Sequence, residues 1–78
     1  MECELIFNIE YKQLRVAIHF YNKDKIIFNI RENQLKHGTR EWVNITGIPR
    51  SIIETEIMTT LTFKNIKDKA HSFYDSLN

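Results

Sequence analysis

The chain has 78 residues, of which 42% are hydrophobic and 27% charged, and its 11 basic side chains are nearly balanced by 10 acidic ones. That length makes a single small domain, residues 1–78, burying only about 60–65% of its unfolded surface, and the balanced charge excludes a strong whole-molecule pull toward nucleic acid or anionic lipid. One cysteine excludes an internal disulfide or a CxxC site, and no apolar run approaches the ~18 residues of a membrane span, so the expected setting is cytoplasmic and away from membranes.

From Cys3 to Tyr11 the side chains alternate, with Cys3, Leu5, Phe7, Ile9 and Tyr11 apolar and Glu2, Glu4, Asn8 and Glu10 polar between them. Only Ile6 breaks the polar row. A period of two reads as a half-buried β-strand. In the next run the phase changes to Leu14, Val16, Ile18 and Phe20. A Lys12-Gln13 loop would pair Tyr11 with Leu14, Ile9 with Val16, Phe7 with Ile18 and Leu5 with Phe20 on one face. Lys-Gln suits a type I′ turn poorly, so a longer connection stays open there.

The third run, Lys25 to Glu32, aligns Ile26, Phe28 and Ile30 with Phe20, Ile18 and Val16 across an Asn22-Lys23-Asp24 turn, whose residues tolerate it well. The reverse face then shows Tyr21 beside Lys25, followed by the rows Ile6, His19, Ile27; Asn8, Ala17, Asn29; and Glu10, Arg15, Arg31. Residues 33–39 read as a loop with Gly38, and Glu41 to Thr46 as a short strand containing Trp42.

Ser51 to Phe63 fits two patterns. Ile53, Ile57 and Leu61 at spacings of four suit a helix, whereas alternation and four Thr suit a strand. Ile66, Ala70, Phe73 and Leu77 predict an amphipathic helix capped by Asn65, with a chain break near Phe63 to Asn65. The expected fold is therefore α+β: an antiparallel sheet of four to five strands, a meander from residue 2 to 32, with a C-terminal amphipathic helix packed on one face.

Motifs for chemistry are sparse. His19, His37 and His71 match no zinc spacing with each other or with Cys3, and Glu2 and Glu4 would hold the Cys3 thiol protonated. Gly38 and Gly47 cannot build a phosphate loop or a nucleophile elbow. No catalytic residue, metal or cofactor is expected, and an enzyme is the least favoured class.

A small sheet with apolar residues on both faces needs cover on both, and one helix covers only one. The expectation is a non-enzymatic protein-binding module, an inhibitor or adaptor that occludes a larger protein, with Ile6, Arg15, His19, Tyr21, Lys25, Ile27, Arg31 and Trp42 meeting the partner. A homodimer is a second way to cover that face. Residues 12–50 carry eight bases against Asp24, Glu32 and Glu41, so the same face is also read, as the alternative, as a single-stranded nucleic-acid surface. The richness in Ile, Asn and Lys resembles an AT-rich coding sequence and suggests a virus or mobile element as its source.

Overall fold

A computed structural model describes residues 1–77. Four strands, β1 (Glu2–Ile9), β2 (Lys12–Phe20), β3 (Ile26–Lys36) and β4 (Thr39–Asn44), form one antiparallel sheet in the order β1-β2-β3-β4. Two helices follow, α1 (Arg50–Met58) and α2 (Leu61–Ser76). The α+β meander with a C-terminal helix on one face is therefore present, with a second helix in the ambiguous segment.

The β2–β3 register agrees with the sequence reading: Phe20 pairs with Ile26, Ile18 with Phe28 and Val16 with Ile30. The Asn22 side chain fixes the turn, its Oδ1 accepting from the backbone N–H groups of Asp24 (2.8 Å) and Lys25 (2.9 Å). The β1–β2 register differs. Leu5 pairs with Val16, Phe7 with Leu14 and Cys3 with Ile18, so the reversal is made by Glu10-Tyr11 and not by Lys12-Gln13. Both turn residues take positive φ, 46° and 65°, a conformation that costs a non-glycine residue about 1–2 kcal/mol.

The physical reason lies at the far end of the hairpin. In the expected register Met1 to Glu4 would run past Phe20 and lose their strand partners. In the observed one the ladder continues to the N-terminus, with Phe20 N–H donating to the Met1 carbonyl (2.8 Å) and the Met1 ammonium to the Phe20 carbonyl (3.1 Å). Several net hydrogen bonds of about 1 kcal/mol each offset the strained turn. The shift is four residues, an even number, so the apolar face is preserved. Tyr11 leaves that face for the turn, fully exposed.

The segment expected as a loop, residues 33–39, is instead mostly strand. β3 continues to Lys36, and His37-Gly38, with φ of 50° and 81°, form a two-residue turn into β4. Glycine supplies one of the two left-handed positions that such a hairpin turn needs. This hairpin tip, including Leu35 and Arg40, is exposed.

After Gly47 the chain enters α1 through Pro49, whose φ of −58° and ψ of 135° put it just outside the helix. Helix, not strand, wins in this segment because Ile53 and Ile57 bury completely on one side. The threonines adapt by turning their hydroxyls back onto the helix: Thr55 donates to the Ser51 carbonyl (2.9 Å) and Thr59 to that of Glu56 (2.8 Å). The break falls at Thr59-Thr60, earlier than expected, and the cap of α2 is Thr60, whose Oγ1 accepts from Phe63 N–H at 3.1 Å. Asn65 lies inside the helix.

The core joins Leu14, Val16, Ile18, Phe20, Phe28 and Ile30 of the sheet to Ile48, Ile53, Ile57, Phe63 and Ala70. The Phe63 ring lies 5.8 Å from Phe28 and 6.4 Å from Phe20 between centroids. Tyr74 donates to the Phe20 carbonyl and accepts from the Met1 ammonium, tying α2 to the hairpin end. The buried side of α2 thus runs through Phe63, Ala70 and Tyr74, whereas Phe73 and Leu77, expected in the core, are exposed. Leu5, Phe7 and Ile9 are only half-buried, because the helices lie mainly over β2 and β3.

Candidate binding face

The outer face of the sheet carries the odd-numbered residues of β2 and β3 and the even-numbered ones of β1 and β4. The register shift of β1 rearranges it. Glu2 lies beside His19 and Ile27, Glu4 beside Ala17 and Asn29, and Ile6 beside Arg15, Arg31 and Asn44. The apolar row Ile6, His19, Ile27 therefore does not form. Ile6 is exposed next to the arginines, and Ile27 sits on the far side of His19 from Glu2.

Two aromatic–cation arrangements organise what remains. The His19 and Tyr21 rings stack with centroids 4.2 Å apart and planes 16° from parallel, and Lys25 Nζ lies 5.2 Å from the Tyr21 ring centre. Glu2 approaches the other side of His19, with its Oε2 3.5 Å from Nδ1. Farther along, Arg15 lies over Trp42 at 5.9 Å and donates from Nε to Glu4 Oε1 at 2.8 Å. Arg31 donates to Asn44 Oδ1.

Between these clusters the small side chain of Ala17 and the amide of Asn29 form the floor of a groove of about 440 Å³, walled by Glu2, Glu4, Arg15, Arg31 and Trp42. Arg15, Arg31 and Trp42 thus converge on one groove. His19, Tyr21, Lys25 and Ile27 make a neighbouring cluster at the end of the strands near the β2–β3 turn, and Ile6 stands outside both. Sequence reasoning missed the two glutamates as site residues, because their position follows from the register of β1. It also passed over Ala17 and Asn29, whose signal was their small or neutral character in a row flanked by large side chains.

Among the described residues no three His, Cys, Asp or Glu side chains gather as a metal site would need. Cys3 is half-buried, and burial, with the Glu2 carboxylate adding to it, pushes its thiol above the ordinary range, which disfavours the nucleophilic thiolate. His71 is half-buried on α2, and its Nε2 is enclosed without a hydrogen bond among the described residues. No described helix is long and apolar enough to cross a membrane.

The other ionisable cluster lies on the opposite side of the sheet. Glu32 is almost wholly buried and meets Lys12 Nζ at 2.8 Å, while the Gln34 amide donates to its second oxygen. Burial pushes its carboxyl up, but the Lys12 ammonium, Gln34 and the Thr46 N–H together outweigh burial and hold it below the ordinary carboxylate range. It anchors the open end of the core and lies on the face away from the groove.

No protein family matches the chain, and no solved structure matches it. The chain is similar to a RING finger containing E3 ubiquitin-protein ligase of White spot syndrome virus, with 32% identity over 88 aligned positions. That alignment takes in 97% of this chain but spans only 13% of the viral protein's length.

Proposed function

We propose that the chain is a small non-catalytic protein-binding module, an adaptor or inhibitor that acts by occluding a larger protein with the outer face of its sheet. One observation carries this reading. Both helices pack on the core face, so Ile6, Tyr21, Ile27 and Trp42 stand exposed on the other, interleaved with Arg15 and Arg31. Aromatic residues and arginine are the side chains that dominate binding hot spots.

The similarity to the viral ligase supports it from a second direction. RING zinc sites are built from Cys and His in sets of four. This chain has one Cys and three His, with no cluster of them among the described residues. Among its described residues this chain therefore holds no such site, and the ligase it resembles over its length acts on proteins. A cytoplasmic setting and a viral or mobile-element source belong to the same proposal.

The alternative, a single-stranded nucleic-acid surface, draws on the stacked His19–Tyr21 rings and the Arg15–Trp42 pair. Glu2 and Glu4 within the groove weigh against it. Affinity purification from the cell that naturally expresses the chain should recover one stoichiometric protein partner. Trp42→Ala should lose that partner, weakening the complex about 30-fold or more, while its thermal unfolding stays near that of the parent. A bait that enriches nothing, or a partner held equally well by Trp42→Ala, would count against this face.

A further inference from the structure

The groove has a chemical polarity that narrows its partner, an inference that rests on the protein-binding reading above. Arg15 and Arg31 stand directly opposite each other on β2 and β3, an arrangement of like charges that destabilises a sheet. Arg15 is neutralised by Glu4. Arg31 is held by the neutral amide of Asn44 and has no ion pair among the described residues. Next to it, the Asn29 amide has no hydrogen bond among the described residues and opens into the groove, with both a donor and an acceptor to offer.

We infer that this groove takes an acidic peptide segment of the partner protein. One Asp or Glu carboxylate forks on the Arg31 guanidinium, an apolar or aromatic side chain lies over Ala17 against Trp42, and a peptide group pairs with Asn29. The planar fork of arginine matches a carboxylate in shape as well as charge. A volume of about 440 Å³ suits one or two side chains and the backbone joining them.

The two glutamates choose peptide over nucleic acid. A nucleic-acid strand carries a phosphate on every residue, so a strand with one phosphate on Arg31 would bring the next ones against Glu2 and Glu4. A peptide carries charge only where its sequence places it, and its backbone N–H groups can donate to those carboxylates.

Selection of random dodecapeptides by phage display against the whole folded chain tests this. The expected winners pair Asp or Glu with a neighbouring aromatic or large aliphatic residue and shift the amide resonances of Ala17 and Asn29. Arg31→Gln should weaken a synthetic winner about tenfold or more, and selection against Arg31→Glu should return Lys- or Arg-bearing peptides instead. Winners that depend on Trp42 but show no acidic bias, and that bind Arg31→Gln unchanged, overturn this inference and leave the protein-binding face standing. Winners that map to the helices, or no winners at all, overturn both. So does a dodecathymidine that binds the groove more tightly than any selected peptide and loses that binding in Arg31→Gln.

Discussion

The same four strands present two faces that treat charge in opposite ways. On the core face a single carboxylate, Glu32, is enclosed and satisfied by Lys12, Gln34 and Thr46 amid aliphatic side chains. On the outer face Glu2, Glu4, Arg15 and Arg31 are exposed, and the Glu4–Arg15 and Glu2–His19 contacts are open to water. Solvated ion pairs contribute about 0–1 kcal/mol each, whereas breaking a buried one is far more costly. Stability is carried by the core side of the sheet and, on the proposed reading, recognition belongs to the other, so substitutions on the two sides should separate them.

The sharpest separation comes from Phe20, which is fully buried and stacks with Phe63, and whose own carbonyl accepts from both Tyr74 and the Met1 ammonium. Phe20→Ala should cost about 3–5 kcal/mol. A domain of this size has only about 4–12 kcal/mol in total. Urea unfolding should therefore show a large part of the stability gone and the midpoint far lower, where the outer-face substitution Trp42→Ala leaves it nearly unchanged. If the two variants unfold at similar urea concentrations, the division of labour between the faces is wrong.

How much of this was legible in the sequence depends on whether a signal was local. The strand faces were readable because alternation survives any even shift of register, and the Asn22 turn was readable because Asn and Asp bond their own backbone. The β1–β2 register was not, since Glu10 and Tyr11 are poor turn residues. What overrides them is pairing at the distant end, between Met1 and Phe20. The threonines around α1 misled for a similar reason: their strand preference yields once Ile53 and Ile57 find a core to enter. Of the side chains that line the groove, Arg15, Arg31 and Trp42 were placed on the outer face by residue type and parity. The groove itself was not, because its glutamate wall is a product of register.

A second contrast concerns pH. The Glu32 carboxyl is held below its ordinary value in the fold, so its contribution is fully present above the unfolded pKa, near 4.3, and is lost as pH falls through the folded value. Glu32→Gln removes the charge while keeping polar atoms for Gln34 and Thr46. It should cost about 1–3 kcal/mol at pH 7. As pH falls below the unfolded pKa the difference from the parent should shrink, because the unfolded parent then gains a proton that its folded form holds off. Urea midpoints for both proteins from pH 7 to pH 3 read this directly. A gap that stays constant across the range would mean that the Lys12–Glu32 pair is not what holds the open end of the core.

The smallest expected effect bears on the register that builds the outer face. Tyr11 sits in the turn at a φ of 65° with its side chain wholly in solvent, so Tyr11→Gly removes no packing and relieves left-handed strain. Relief of about 1 kcal/mol, partly offset by the greater freedom of glycine in the unfolded chain, should leave a net gain of a few tenths of a kcal/mol. Adding Glu10→Asn produces the Asn-Gly turn that two-residue hairpins favour. Together they should raise the melting temperature by a few degrees, since 1 kcal/mol moves a domain of this size by about 4–8 °C. Had the chain reversed at Lys12-Gln13, residue 11 would be a strand position on the apolar face. A glycine there would lower the melting temperature, since it loses packing and strand order. The sign of a small thermal shift therefore decides whether Glu2 and Glu4 wall the groove beside Arg31, and with it which side chains the proposed binding face presents.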